Sequence, residues 1–273
     1  MTLAQLKKIA RQIRRDIIEM TYKAGSGHPG GSLSSADIMA VLYFDIMKHD
    51  PKNPKWEQRD RFFLSKGHAC PVLYAALAES GYFPKKHLAT FRHLGSLLQG
   101  HPHSLKTPGI EMSSGSLGQG LSIAAGTALG LKMDGNKARV FCLMGDGELQ
   151  EGQIWEAAMA AGHFKLNNLI GIVDYNNLQI DGPVEKVMGL APLADKWRAF
   201  RWNVIEVNGH DIARIKKAFI KAGQSKIKPT VIIARTVKGK GVSFMENQAG
   251  WHGRAPNREE YAKAMKELNS LTF

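Results

Sequence analysis

The sequence predicts an α/β fold, a parallel sheet of about five strands with helices on both faces. Three observations predict it. Residues 138–144 form an apolar run rich in β-formers that stops at Gly145-Asp146-Gly147, and residues 169–173 form a second that stops at Asp174-Tyr175-Asn176-Asn177. Between them, residues 149–164 carry Ile154, Trp155, Ala158, Met159 and Ala161 at the spacing of one helix face. Two strands joined through a helix make a right-handed parallel βαβ unit, so both strands finish on the same sheet edge and Asp146 meets Asn176 there. Strand and helix alternate again over 202–207, 212–222 and 230–234, which argues for a sheet covered on both faces with its ligands at the carboxyl edge.

With 273 residues, 44% of them hydrophobic, the chain can bury a large core, and residues 1–273 are expected to form one domain. Cys70 and Cys142 are too few for a disulfide framework and suit a reducing compartment. Lys7, Lys8, Arg11, Arg14 and Arg15 interrupt the first apolar positions, so no signal-peptide core is expected, and no apolar stretch approaches membrane-spanning length. A cytoplasmic location is expected. The formal charge of +13 is scattered over helix faces without an aromatic-interleaved basic ribbon, a pattern that fits phosphorylated ligands better than nucleic acid or a membrane.

From the amino terminus, Leu3–Ala24 has the apolar spacing of an amphipathic helix and ends at Gly25. Residues 25–31, Gly-Ser-Gly-His-Pro-Gly-Gly, match a dinucleotide-loop pattern in form only, because a helix precedes them and Pro29 interrupts them. They read as a glycine-rich loop that presents His28. Ser34 or Ser35 is placed to cap a helix running through Met47. Arg61–Leu64 reads as a short strand ending at Ser65-Lys66-Gly67-His68, with a helix over 71–80 after it. Residues 83–116 show little periodicity, as functional or mobile segments do, and hold His87, His93, His101 and His103. Neither cysteines nor carboxylates are spaced to complete a zinc tetrahedron with them, so His87, His93 and His103 read as surface residues. Gly115-Ser116-Leu117-Gly118-Gln119-Gly120 leads into a small-residue helix over 121–133, whose start forms a wall for a ligand. Residues 239–256, glycine-rich and including Gly250-Trp251-His252-Gly253, read as a lid, and a helix over 257–268 follows.

The chemistry converges on the first βαβ unit. A carboxylate and an amide oxygen at adjacent strand ends are hard donors suited to Mg²⁺ or Ca²⁺, and Mg²⁺ completes its octahedron with water and phosphate oxygens. Glycines beside Asp146 allow close approach of a diphosphate, and the following helix start offers free N–H groups. Gly-Asp-Gly, followed after about 28 residues by Asn-Asn, resembles the signature of thiamine diphosphate enzymes.

Ser26-Gly27-His28-Pro29-Gly30-Gly31, Ser65-Lys66-Gly67-His68-Ala69, Gly100-His101-Pro102, Ser116-Leu117-Gly118-Gln119-Gly120, Gly145-Asp146-Gly147 with Leu149-Gln150-Glu151-Gly152, and His252-Gly253 together resemble the amino-terminal half of transketolases, in order and over nearly the whole chain. The resemblance implies the thiamine diphosphate-binding fold, with thiamine diphosphate and Mg²⁺ as cofactors and Ca²⁺ able to substitute. It implies that Asp146, Asn176 and the Leu178 carbonyl hold the cation, and that His68, His252 and the Gly147 N–H bind the diphosphate. Gly115 and Leu117 would line the aminopyrimidine, and Ile180 would pack near the thiazolium. His28 and His101 would face the donor sugar, and Glu151 would join a carboxylate network between paired cofactor sites.

Where long single-chain transketolases usually carry Gly-Pro-Leu, this sequence has Gly115-Ser116-Leu117, which leaves that backbone less constrained. The family's pyrimidine-binding and carboxyl-terminal domains, which supply the glutamate that activates the cofactor and the groups that bind the sugar's phosphate, have no counterpart before Phe273. The resemblance therefore implies the amino-terminal subunit of a split transketolase, completed by a separate carboxyl-terminal subunit in a heterotetramer. That enzyme would transfer a two-carbon ketol unit from a ketose phosphate to an aldose phosphate, as in the pentose phosphate pathway. The alternatives are a thiamine enzyme for an unusual, non-phosphorylated or sulfonated sugar, and a non-catalytic cofactor-binding homologue.

Overall fold

A computed structural model describes residues 1–270, so the last three positions of the span expected as one domain lie outside the described residues. The strands are β1 (Arg61–Leu64), β2 (Val140–Gly145), β3 (Leu169–Tyr175), the two-residue β4 (Leu178–Gln179) and β5 (Gly182–Pro183), β6 (Asn203–Asn208) and β7 (Thr230–Arg235). Five of them form one parallel sheet in the order β1-β2-β3-β7-β6, while β4 and β5 pair antiparallel as a small hairpin just beyond β3. In this register Gly145 lies opposite Asp174. The polar residues that follow each strand are thereby neighbours at one carboxyl edge.

The helices are α1 (Leu3–Ala24), α2 (Pro29–Ser34), α3 (Ala36–Val41), α4 (Cys70–Ser80), α5 (Gln119–Met133), α6 (Gly152–His163), α7 (Val184–Met188), α8 (Leu193–Ala199), α9 (Ile212–Ala222) and α10 (Arg258–Ser270). Alternate side chains of each strand serve different faces, as the period of two demands. Phe141, Leu143, Ile170, Ile172 and Ile232 pack with the apolar stripes of α1, α3, α4, α9 and α10. Val140, Cys142, Met144, Leu169, Val173 and Ile233 pack on the other face with α5, α6 and α8. Among the described residues no helix is long and apolar enough to cross a membrane.

Helix α1 begins with a Thr2/Gln5 capping box and stops at Gly25, whose φ of 59° lies in the left-handed region that favours glycine. The expected helix through Met47 takes a different form. It starts at Pro29, whose fixed φ suits a first helical position, breaks at Ser35, resumes as α3 and widens into a π turn over Leu42–Ile46. Ser34 and Ser35 do not cap it: each hydroxyl donates to the Gly31 carbonyl at 3.1 Å, and both reach the Asp174 carboxylate. Strand β3 likewise runs past its expected end through Asp174, because that carboxylate is fully buried yet satisfied by Lys66, Ser34, Ser35, Thr236 and Asn176.

The helix expected over 149–164 is divided into a 3₁₀ turn, Gly147–Gln150, and α6, with extended Glu151 between them. The buried Glu148 carboxylate accepts the Gly145 and Gly118 amides from outside the helical path, which holds the turn apart from α6. Residues 239–256 are no loose lid either. Val242, Met245 and Trp251 are buried in the core, and Trp251 Nε1 donates to the Phe244 carbonyl at 3.1 Å. Between α1 and α4, Asp16 accepts a hydrogen bond from Gln12 at 2.8 Å and faces Glu79.

Candidate functional site

The carboxyl edge of β2 and β3 opens into a cleft of about 370 Å³ whose walls include all but one of the residues singled out in the sequence. Its floor is the pair carried by the two strand ends. Asp146, 2% exposed, accepts the Gly147 N–H at 2.8 Å through Oδ1 and the Asn177 N–H through Oδ2. Asn177 adopts a positive φ of 61°, which turns the chain so that its amide reaches back across the two strands. Asn176 donates from Nδ2 to Asp174 at 3.2 Å, and its Oδ1 accepts the Leu178 N–H at 3.1 Å. The Leu178 carbonyl is the third oxygen of this corner. The Gly147 N–H is directed at the Asp146 carboxylate, so it meets an anion in the cleft only by sharing that bond.

Burial, with the neighbouring Asp174 charge, pushes the Asp146 pKa up to about 6. A buried carboxylate short of counter-charge, beside an amide and a carbonyl oxygen, is the donor set of a hard divalent cation, and the residues present fit Mg²⁺.

Two lysines that sequence reasoning passed over complete the floor. Lys66, 2% exposed, pairs with Asp174 at 2.5 Å and donates to the Gly31 carbonyl at 2.8 Å and Ser35 Oγ at 2.7 Å. Lys238, equally buried, donates to the Leu178 carbonyl at 2.8 Å and lies 3.1 Å from His252 Nδ1. Burial lowers the Lys238 pKa to about 8, against the pull of Asp146 and Asp174, so it stays mostly cationic at pH 7. In sequence both resemble ordinary surface lysines. Only the Ser-Lys-Gly-His context of Lys66 and the Lys238-Gly239 step after β7 could have flagged them.

Above the lysines three imidazoles meet. His28 lies 5.2 Å from His68 and 5.5 Å from His252, and His68 stacks on His252 at 5.0 Å with 21° between planes. Desolvation chiefly, then the surrounding cations and rings, lowers the pKa of His28 to about 4, of His68 to about 2 and of His252 to about 3. All three are neutral at pH 7. Since the Lys238 ammonium can only donate, His252 Nδ1 accepts and its proton sits on Nε2. Neutral imidazoles beside a buried ammonium and a glycine cradle at Gly31, Gly145 and Gly147 fit a diphosphate.

The side wall is the turn before α5. Gly118, at φ 85°, accommodates the Glu151 side chain, and a Cβ at Gly120 would lie 2.4 Å from Ser65 Cβ. Glu148, missed in the sequence, joins wall and floor by accepting the Gly118 N–H at 2.8 Å and the Gly145 N–H at 3.0 Å. Gly115, Leu117, Glu151 and Ile180 all line the cleft, Glu151 and Ile180 being exposed. His101 is outside the lining set but adjoins it: a Cβ at Gly115 would be 3.4 Å from its Cδ2, and Tyr74 anchors its carbonyl at 3.1 Å.

Comparison with known proteins gives the chain a family. Residues 5–270 match the family model for the transketolase thiamine diphosphate-binding domain. The 6-deoxy-6-sulfo-D-fructose transketolase subunit SqwG of Clostridium sp. (strain MSTE9) is 47% identical over 96% of both chains. An apulose-4-phosphate transketolase subunit of Phocaeicola vulgatus is 43% identical over 98% of this chain and 95% of its own. The crystal structure of Campylobacter jejuni transketolase superposes with a TM-score of 0.93 at 38% identity, covering 98% of this chain but 43% of that one. The chain thus spans about two fifths of that transketolase and nearly the full length of the two subunits. By sequence and by fold, the chain belongs to the transketolase thiamine diphosphate-binding domain family of transferases.

Proposed function

We propose that this chain is the amino-terminal subunit of a thiamine diphosphate- and Mg²⁺-dependent transketolase, active with a separate carboxyl-terminal subunit, two copies of each forming a heterotetramer. The observation that carries the reading is the meeting of Asp146, Asn176 and the Leu178 carbonyl with three neutral imidazoles and Lys238 in one cleft. Relatives of the same length whose names call them transketolase subunits support the two-chain organisation.

Asp146, Asn176 Oδ1 and the Leu178 carbonyl would hold Mg²⁺ against the diphosphate. His68, His252, Lys238 and the Gly147 N–H would bind the diphosphate oxygens, with Gly115 and Leu117 against the aminopyrimidine and Ile180 near the thiazolium. Thiamine diphosphate supplies a carbon nucleophile and an electron sink for the two-carbon fragment. Positioning is the protein's share. His28 and His101 would hydrogen-bond the donor hydroxyls, and a neutral imidazole at either position can accept a hydroxyl proton and return it. Glu151, exposed at the start of α6, would complete its carboxylate network with a neighbouring chain.

A second substrate reading follows from the relatives' names: a sulfonated ketose or apulose 4-phosphate as donor instead of a common pentose phosphate. Titration calorimetry with thiamine diphosphate and Mg²⁺ on the reconstituted pair, then ketol-transfer assays across phosphorylated and sulfonated donors, tests both. Cofactor-dependent transfer only when both subunits are present is expected. Turnover by this chain alone, or no cofactor heat in the complex, would defeat the proposal.

A further inference from the structure

Arg92 lies in the aperiodic segment, beyond the 3₁₀ turn Lys85–Thr90, and adopts a left-handed φ of 64° that a non-glycine residue holds only when its surroundings enforce it. Its N–H donates to the Leu98 carbonyl at 2.9 Å, folding the backbone back on itself. Its Nη1 donates to Ser26 Oγ at 2.9 Å, two residues before His28. The guanidinium also packs flat against Gly100, the residue before His101, where a Cβ would stand 3.3 Å from both Cζ and Nε. We propose that Arg92 is a positioning residue of the donor site: its guanidinium clamps the loop carrying His28 to the loop carrying His101 and stands as a fixed charge behind both imidazoles. The proposal rests on the reading of His28 and His101 as the donor-facing pair.

A rigid planar fork suits this task, since one edge can bind a hydroxyl while the face lies on glycine. A lysine ammonium would keep the charge without the flat contact. The charge has a consequence of its own. Burial first, then Arg92, His101 and Lys238, lowers the His28 pKa, and the His68 and His252 rings also face it; burial and then Arg92 lower that of His101. Both donor-facing rings are thereby kept as proton acceptors.

Histidine titrations by NMR on the isolated chain, with Arg92→Gln and Arg92→Lys, read the charge directly. The His28 and His101 midpoints are expected to rise in Arg92→Gln and to stay near wild type in Arg92→Lys. In the reconstituted enzyme, Arg92→Gln should raise the donor KM about tenfold with a smaller change in kcat, at unchanged cofactor affinity. Ser26→Ala, which removes the hydroxyl partner, should raise the donor KM in the same direction and serves if Arg92→Gln does not fold. Unchanged midpoints and donor KM in the variants that fold would overturn the proposal. Failure of the wild-type complex to bind cofactor would count against the proposed function, and the titrations would still decide the role of Arg92.

Discussion

Asp16 and Asp174 are both carboxylates inside the fold, and their surroundings push them in opposite directions. Lys66 and the Ser34 and Thr236 hydroxyls hold Asp174 below the usual carboxylate range despite complete burial. Burial, with Glu79 opposite, pushes Asp16 up to about 7. A carboxylate raised above its unfolded value of about 3.9 contributes stability below that pH and loses it as the pH rises through 7. Asp16→Asn is accordingly expected to raise the thermal midpoint at pH 8 and to leave it unchanged, or lower it, at pH 4. Scanning calorimetry at the two pH values checks this, and an equal shift at both would contradict it. The same scale shows what sequence reasoning could reach. Asp146 and Asn176 were legible because strand ends announce themselves through apolar runs. Lys66, Lys238 and Glu148 were not, because their partners come from Gly31, Leu178 and Gly118, which no local pattern connects to them.

Among the elements, the interiors of α1 and α9 were readable from apolar spacing, while the ends around the site were not. The break before α6 depends on Glu148 bonding an amide 30 positions away, and the expected cap at Ser34 or Ser35 yielded to Asp174, 140 and 139 positions away. Long-range partners prevail over local ones there. The start of α5 is the most constrained of these ends, because its Gly120 backbone lies directly on Ser65. Gly120→Ala must push the α5 turn off the β1 terminus, costing about 1–3 kcal/mol of stability. Urea denaturation of the variant should show that loss together with weaker thiamine diphosphate binding in the complex. An alanine variant with wild-type stability and affinity would mean that the turn yields freely.

For the whole molecule, the sheet order makes β3 its middle and β6 an edge. Strand β3 is buried along six of its seven residues, whereas in β6 Asn203, Glu206 and Asn208 are exposed, Val204 and Ile205 half-buried and Val207 alone buried. Native-state hydrogen exchange should therefore find β2, β3 and β7 opening only with global unfolding and β6 opening at lower cost. Equal protection in β6 and β3 would argue against this gradient. The α/β class, the five strands and their common carboxyl edge were legible because each strand and helix declares its own period. The β4–β5 hairpin, α7 and α8 were not, being too short to establish one.

The pairing of Gly145 with Asp174 is what seats Asp146 beside Asn176, and that pairing is indifferent to how much chain lies between the strands. Lengthening α6 by a whole turn would leave the two side chains side by side, whereas deleting one residue within β3 would rotate the amide to the opposite side of the sheet. The hydrogen-bonded ladder, more than the count of residues between the two motifs, thus decides that carboxylate and amide meet.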